Sequence, residues 1–426
     1  MDINNRVEYL SSEGWRQWHL ELLQSTINRV YERVPFYRKL MDEKGVRPED
    51  ITSLEDLYKL PFTTREHLAE NYPYDLFAVP LRDIVRLHTF PGISTPIVKG
   101  FTRRDLLGLR QLTARFLTTC GVTSEDIVQI CLDAGMSIWI EELKEGAEEL
   151  GALVIPPDPQ STTNRLRIMR DFRTSVLITT PSYALYLADV MREEGLRPPK
   201  SLRLVILVGE GCKEEERLRL EQQLGITTKL GYGITEAVGP GMGYECEKRQ
   251  GYHLAVDYFL PEIIDPKTGE PLPAGETGEL VVTTLAVKAN PLVRFRTGDL
   301  TRFLPSPCAC GRTTPRIEQI QGQVDGRVSV RGIKISLRYI EALLKEAYGH
   351  VPLYLLRIKR PRYLEELELW VAINPRLFEP SILGLHRLAA AFERRFEETF
   401  GLPCRVKLVE KDHLEEVSHG QQVLFT

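Results

Sequence analysis

The stretch SVLITTPSYALYLADVMREEGLRPPKSLRLVILVG, residues 175–209, decides the fold. Its two ends, SVLITTP (175–181) and LRLVILVG (202–209), are continuous apolar runs rich in β-branched residues. That is the texture of strands buried on both faces. Between them, YALYLADVMREEG places apolar residues at helical spacing. Strand, helix and strand in succession predict a parallel sheet. Upstream, IVQICL (127–132) and LGALVIPP (150–157) read as further strands, with IWIEELKEGAEEL and STTNRLRIMRDF as connecting helices.

Outside this core the texture changes twice. The first 60 residues carry helical periodicity broken by Pro35, Pro48 and Pro61. After residue 250, YFLPEIIDPKTGEPLPAGETGELVVTTL alternates polar and apolar residues between turn dipeptides, which predicts an antiparallel sheet or a small barrel. From about residue 325 the segments VSVRGIKIS, SLRYIEALLKEAYG, LYLLRIKR, LEELELWVAIN, LHRLAAAFERRFEETFG and RVKLVEK predict a compact α+β unit. The expected fold class is therefore α/β: a large module, residues 1–324, with a parallel sheet and an antiparallel barrel-like region, followed by a small α+β lid, residues 325–426.

The chain has 426 residues, enough for two or three domains. Apolar residues make up 42%, charged residues 27%, and the net charge is -4, so no basic surface points to nucleic acid. No stretch approaches 18 apolar residues, and the mixed charge of the first residues is unlike a signal peptide. Seven cysteines, an odd number in a long chain, point to a reducing compartment, the cytoplasm. Small molecules are the expected partners.

Five stretches of this chain form a set: VPFYRKLMDEKGVRPEDITSLEDLYKLPFTTREHLAENYPYDLFAVP (34–80), ITTPSYALYLADV (178–190), LGYGITEAVGPGMGYECE (230–247), GEPLPAGETGELVVTTL (269–285) and NPLVRFRTGDL (290–300). Together they resemble the phenylacetate–CoA ligase family of adenylate-forming enzymes. The resemblance covers nearly the whole chain. It implies a two-step reaction on an aryl or hydrophobic carboxylate: adenylation by ATP with Mg2+, then transfer of the acyl group to coenzyme A, with a homodimer as the expected assembly. It assigns Asp299 to the ribose hydroxyls, which suit a carboxylate acceptor. It also assigns Tyr232 and Gly233 to adenine, Thr235 to the α-phosphate and Glu236 to magnesium. Gly209, Glu210 and Gly211 form the adenine-side loop, Arg296 joins the nucleotide site, and Pro181 and Tyr183 wall the acyl pocket. The plainer readings are a turn aspartate beside Gly298, a capped strand end at Tyr232–Glu236, and core packing at Pro181 and Tyr183.

Three motifs depart from the family. Its phosphate loop, approximately SSGTTGKPT, is matched by TFPGISTPIVK (89–99), which is one residue shorter and keeps only Gly92 and Ser94 as loop elements. Thr95 stands in place of the basic residue, and Pro91 and Pro96 lack N–H donors. Lys99, Arg296 and Lys334 are candidate replacement charges, and His88 precedes the loop. The hinge motif reads GQVDG (322–326), retaining Asp325, and Gln421 stands near the expected C-terminal lysine. Ribose and adenine positions survive better than phosphate positions. Two readings of function follow: an acid–CoA ligase with rewired phosphate contacts, or a catalytically impaired relative that binds AMP or an acyl-adenylate as a sensor or partner subunit. A third is an adenylating enzyme with another acceptor.

One further constellation is independent of the resemblance. Cys308 and Cys310 form a C-x-C-G turn, and Cys246 and His253, with six residues between them, lie earlier in the chain. Three thiols and an imidazole are a structural zinc set. The alternative is free loop thiols and an exposed strand histidine. Cys120, Cys131, Cys212 and Cys404 read as buried small residues.

Overall fold

In the computed structural model, residues 5–92, 95–155, 161–305, 307–324, 327–360, 363–373, 382–418 and 422–425 are described. Among them the four apolar runs form strands Ile127–Cys131, Leu153–Ile155, Val176–Thr179 and Leu204–Leu207, and a fifth strand, Thr227–Ile234, joins them. All five are parallel, in the spatial order 153, 127, 176, 204, 227 by first residue. The helices Ser137–Glu149, Thr162–Asp171, Pro181–Glu193 and Glu214–Leu224 make the crossovers. Each of the strands at 176 and 204 is buried throughout, as continuous apolar runs require.

Beyond Ile234 the chain reverses. Gly239–Tyr244, Tyr252–Leu254 and Arg316–Ile317 extend the same sheet antiparallel. The alternating segment after residue 250 forms a four-stranded antiparallel sheet of Phe259–Ile264, Gly278–Thr284, Phe295–Thr301 and Gly322–Gln323. At the N-terminal end, Ser11 caps the helix Ser12–Arg33 through the Gly14 N–H, and Pro35 opens the next helix, Pro35–Glu43.

A two-stranded hairpin, Val328–Val330 with Ile333–Ile335, begins the small module. A mixed sheet of Tyr354–Lys359, Glu366–Ile373, Cys404–Glu410 and Val423–Phe425 follows, with helices Leu337–Tyr348, Ile382–Phe400 and Lys411–Ser418. Asp325, Ser94 and Gln421 lie outside the described residues. No helix among the described residues is long and apolar enough to cross a membrane.

The strand that ends in YGITE is held by a buried ion pair. Arg217 donates through both terminal nitrogens to Glu245, at 2.9 and 2.6 Å, and through Nε to the Thr228 hydroxyl at 2.7 Å. Glu245 in turn accepts from the Leu230 N–H at 3.0 Å. Both side chains are almost inaccessible. Removing one partner leaves an uncompensated charge in the interior. Arg217→Met is therefore expected to lower stability by about 3–5 kcal/mol, read as the shift in the urea unfolding midpoint.

Candidate active site

The carboxyl ends of the parallel strands open on two adjoining cavities, where open α/β sheets place their ligands. The larger, about 370 Å³, is lined by Gly209, Glu210, Gly211, Tyr232, Gly233 and Asp299, with Gln323 and Lys334 on its far side. The smaller, about 90 Å³, is lined by Thr235, Glu236, Arg65, Arg327, Met136 and Trp139, among others. Trp139, Gly209, Gly233, Arg327 and Lys334 line both.

Asp299 is the centre of the larger cavity. Gly298 has φ 76°, a left-handed turn that glycine adopts without strain, and it swings the next residue out of the regular ladder. The Asp299 carboxylate, 1% exposed, accepts from the Tyr232 hydroxyl at 2.8 Å, the Gln323 amide at 2.9 Å and Lys334 Nζ at 2.6 Å. Burial would raise its pKa, but the Lys334 charge and these donors hold it below the usual carboxylate range. Glu210 accepts from the Ser182 backbone N–H at 3.0 Å and from the Ser182 hydroxyl at 2.8 Å. Burial and the nearby Glu365 charge push Glu210 up to about 7.

The smaller cavity carries the charge. Arg65 Nε donates to Glu236 at 2.7 Å, and Arg327 lies 4.0 Å from the same oxygen. Thr235 is gripped twice: its hydroxyl accepts from Trp139 Nε1 at 3.1 Å and its carbonyl from Lys99 Nζ at 2.8 Å. Lys99 is thus a buried brace for the turn. The 89–99 segment is a β-hairpin, Ile84–Pro91 paired with Pro96–Thr102. A side chain on Gly92 would meet the Thr95 carbonyl at 2.4 Å, so the turn tolerates only glycine there. Phe90, Pro91 and Gly92 face the small cavity.

Four expected site residues stand elsewhere. Arg296 pairs with Glu279 and the Pro266 carbonyl, because its place in the strand turns it toward the neighbouring strand and away from the crevice. His88 pairs in register with Lys99 and packs edge-on to Phe101, lining neither cavity. Pro181 is the first helical residue of Pro181–Glu193, and Tyr183 reaches the Thr162 hydroxyl under the Arg165 guanidinium. Neither lines the cavities. It is Ser182, between them, that meets the crevice through Glu210. Arg65, Trp139 and Arg327 were not singled out from the sequence, and Gln323 was noted only as part of the altered hinge motif. Arg65 lies 171 positions from Glu236, and its only local signal is the Thr64 cap that precedes it.

The thiols of Cys246, Cys308 and Cys310 and the His253 ring lie together, with one ligand atom of each within 4.8 Å of the others. Cys246 and Cys308 sulfurs are 3.8 Å apart, and Cys310 Sγ is 3.4 Å from His253 Nε2. The other ring nitrogen, Nδ1, is 3.1 Å from the Thr314 hydroxyl.

Two AMP-binding enzyme family models match, one over residues 149–287 and one for the C-terminal domain over residues 332–425. The phenylacetate–coenzyme A ligase of Thermus thermophilus is 37% identical over 95% of this chain and 94% of its own length. The crystal structure of 2-hydroxyisobutyryl-CoA ligase with 2-HIB-AMP and CoA in the thioesterification state superposes with a TM-score of 0.91. It is 26% identical and covers 99% of this chain and 91% of that one. The same ligase in the postadenylation state gives 0.72 at 25% identity and the same coverage. These likenesses, which run over nearly the whole chain, lead to one statement: the chain belongs to the phenylacetate–coenzyme A ligase family of AMP-binding enzymes.

Proposed function

We propose that the protein is an ATP-dependent acid–CoA ligase that takes a hydrophobic carboxylate through an acyl-adenylate to its coenzyme A thioester. The observation that carries this reading is the placement of Asp299 and Glu236 in adjoining cavities that share a wall. One suits a nucleoside and the other its phosphate. In the first step a carboxylate oxygen attacks the α-phosphorus and pyrophosphate leaves. In the second the coenzyme A sulfur attacks the acyl carbon, the bond to AMP breaks, and the thiol proton goes to solvent.

The residues divide this work. Asp299 accepts from the ribose hydroxyls once Lys334 gives way. Thr235 already accepts from Trp139, so its own hydroxyl hydrogen is left for a phosphate oxygen. Arg65, Arg327 and Lys334 bring positive charge that the shortened phosphate turn does not supply, and charge aimed at developing phosphate negativity is the largest catalytic term. Glu236 fits magnesium: it is an ionised hard oxygen donor on the cavity wall, and the remaining ligands would be phosphate oxygens and water. A magnesium ion there would neutralise phosphate charge. The hinge is assigned to Asp325, dividing residues 1–324 from 325–426. The strand Gly322–Gln323 closes the first module's sheet and the hairpin Val328–Ile335 opens the second.

Zinc is proposed for the Cys246, His253, Cys308 and Cys310 cluster. Tetrahedral Zn–S bonds of about 2.3 Å set sulfurs about 3.8 Å apart, which matches the Cys246–Cys308 separation. All four ligands are protein groups, so the ion would be structural. A cytoplasmic location is proposed on the odd count of seven cysteines in a long chain. A homodimer is carried by the family likeness, and light scattering at twice the chain mass tests it.

Acid-dependent exchange of pyrophosphate into ATP, with a CoA thioester and AMP as products, is the direct assay. Asp299→Ala is expected to lower kcat/KM for ATP by about 10–100-fold. Stabilisation by AMP without any exchange, across a broad set of acids, would instead favour the non-catalytic binding protein. Metal analysis of the purified chain should return one zinc per chain, and Cys308→Ser with Cys310→Ser should lose it and lower the melting temperature. Burial would raise the Glu236 pKa, but the charges of Arg65, Arg327 and Lys334 hold it at about 2, so it stays ionised at working pH. Arg65→Met removes the nearest of those charges and lets burial act. The Glu236 pKa then rises, and the acid limb of the pH–activity profile is expected to move to higher pH.

A further inference from the structure

An acyl-adenylate has two ends, and the crevice has two cavities. Asp299 and Tyr232 commit the larger one to the nucleoside. The molecule then runs past Thr235, so its phosphate and its acyl group share the cavity of about 90 Å³, the phosphate on the side of Arg65 and Arg327. The apolar wall of that cavity is Phe90, Met136, Trp139, Ile234 and Ile333.

This wall has no slack. The Trp139 indole, 6% exposed, stands between the cavities and is tied at Nε1 to the Thr235 hydroxyl. Met136 is wedged between two backbones: a side chain on Gly209 would meet its Cε at 2.8 Å, and one on Gly332 its Sδ at 2.9 Å. Gly135 is closed over by Ile333 and the Phe400 carbonyl, each 2.4 Å from where a side chain would start. An apolar cavity of about 150 Å³ admits benzene. The space here is smaller, and the carboxyl–phosphate junction takes part of it.

We infer that the acid is short and aliphatic, acetate to isobutyrate in size, and that Trp139 sets this limit by filling the volume an aryl ring would need. The inference rests on the ligase reading and narrows its hydrophobic carboxylate. Trp139 is thus both a specificity residue, through its bulk, and a positioning residue, through its bond to Thr235.

The test uses inert adenylate mimics, propionyl- and phenylacetyl-sulfamoyl adenosine, titrated calorimetrically into the full-length protein. Thioester formation from propionate, isobutyrate, benzoate and phenylacetate is measured alongside. The propionyl mimic is expected to bind about 100-fold more tightly than the phenylacetyl one, with kcat/KM in the same order. Trp139→Ala should narrow that gap by about 10-fold or more through a gain for phenylacetyl. Trp139→Phe, which keeps bulk but loses the Nε1 bond, should keep the preference for short acids while lowering kcat. Equal binding of the two mimics to the wild type overturns the size limit and leaves the ligase reading standing. An unchanged ratio in a folded Trp139→Ala protein overturns the role of Trp139. If that variant does not fold, Met136→Ala opens the same wall, and the wild-type comparison decides the size limit without any variant. Should neither mimic bind and no acid be converted, both the ligase reading and this inference fall.

Discussion

The Asp299 carboxylate is the constraint around which the crevice is arranged. A buried charge is costly unless donors surround it. Here the donors come from three separate bodies: Tyr232 from the parallel-sheet strand, Gln323 from the edge of the antiparallel sheet, and Lys334 from the lid hairpin. Satisfying one carboxylate therefore fixes how the two sheets and the lid meet. The left-handed turn at Gly298 makes this possible, because it presents the carboxylate to all three at once.

The phosphate side follows a different logic. Beside it, the paired strands Ile84–Pro91 and Pro96–Thr102 end on prolines, which lack N–H donors. Positive charge arrives instead from side chains on distant segments, Arg65 before the parallel sheet and Arg327 and Lys334 after the hinge. Around Glu236 these charges outweigh burial, so the carboxylate stays ionised where desolvation alone would neutralise it. Lys99 also feels the Glu236 charge, but its ammonium is committed as a brace on the Thr235 carbonyl. The pocket has kept its polarity while changing where the polarity comes from.

Much of this was legible in the chain itself. Continuous apolar runs can only be strands covered on both faces, so residues 175–209 announced the parallel sheet. Asp299, Tyr232, Glu236 and the Gly209–Gly211 loop, which short motifs singled out, all line the two cavities, because each motif is a backbone shape that fixes where its side chain points. The cysteine–histidine cluster was legible from ligand type and pairing. Arg65, Arg327 and Trp139 were not, since their roles arise from contacts between segments far apart in sequence and no local pattern encodes such a meeting. Arg296 misled because it stands only three residues before Asp299, yet a break in the strand register lies between them, and its side chain ends on Glu279. Tyr183 faces the Thr162 hydroxyl and the Arg165 guanidinium, while its neighbour on the helix, Ser182, bonds Glu210.

The lysine that grips Asp299 belongs to the small C-terminal module, and on the ligase reading proposed above that has a consequence for ligand entry. A ribose bound at this carboxylate would not add two hydrogen bonds to an idle acceptor. It would evict an ammonium group, so association would be an exchange whose net yield is the difference between two occupants. The evicted lysine would stay tethered a few bonds away. On that reading, nucleotide entry and the posture of the small module are two descriptions of a single competition for one oxygen pair.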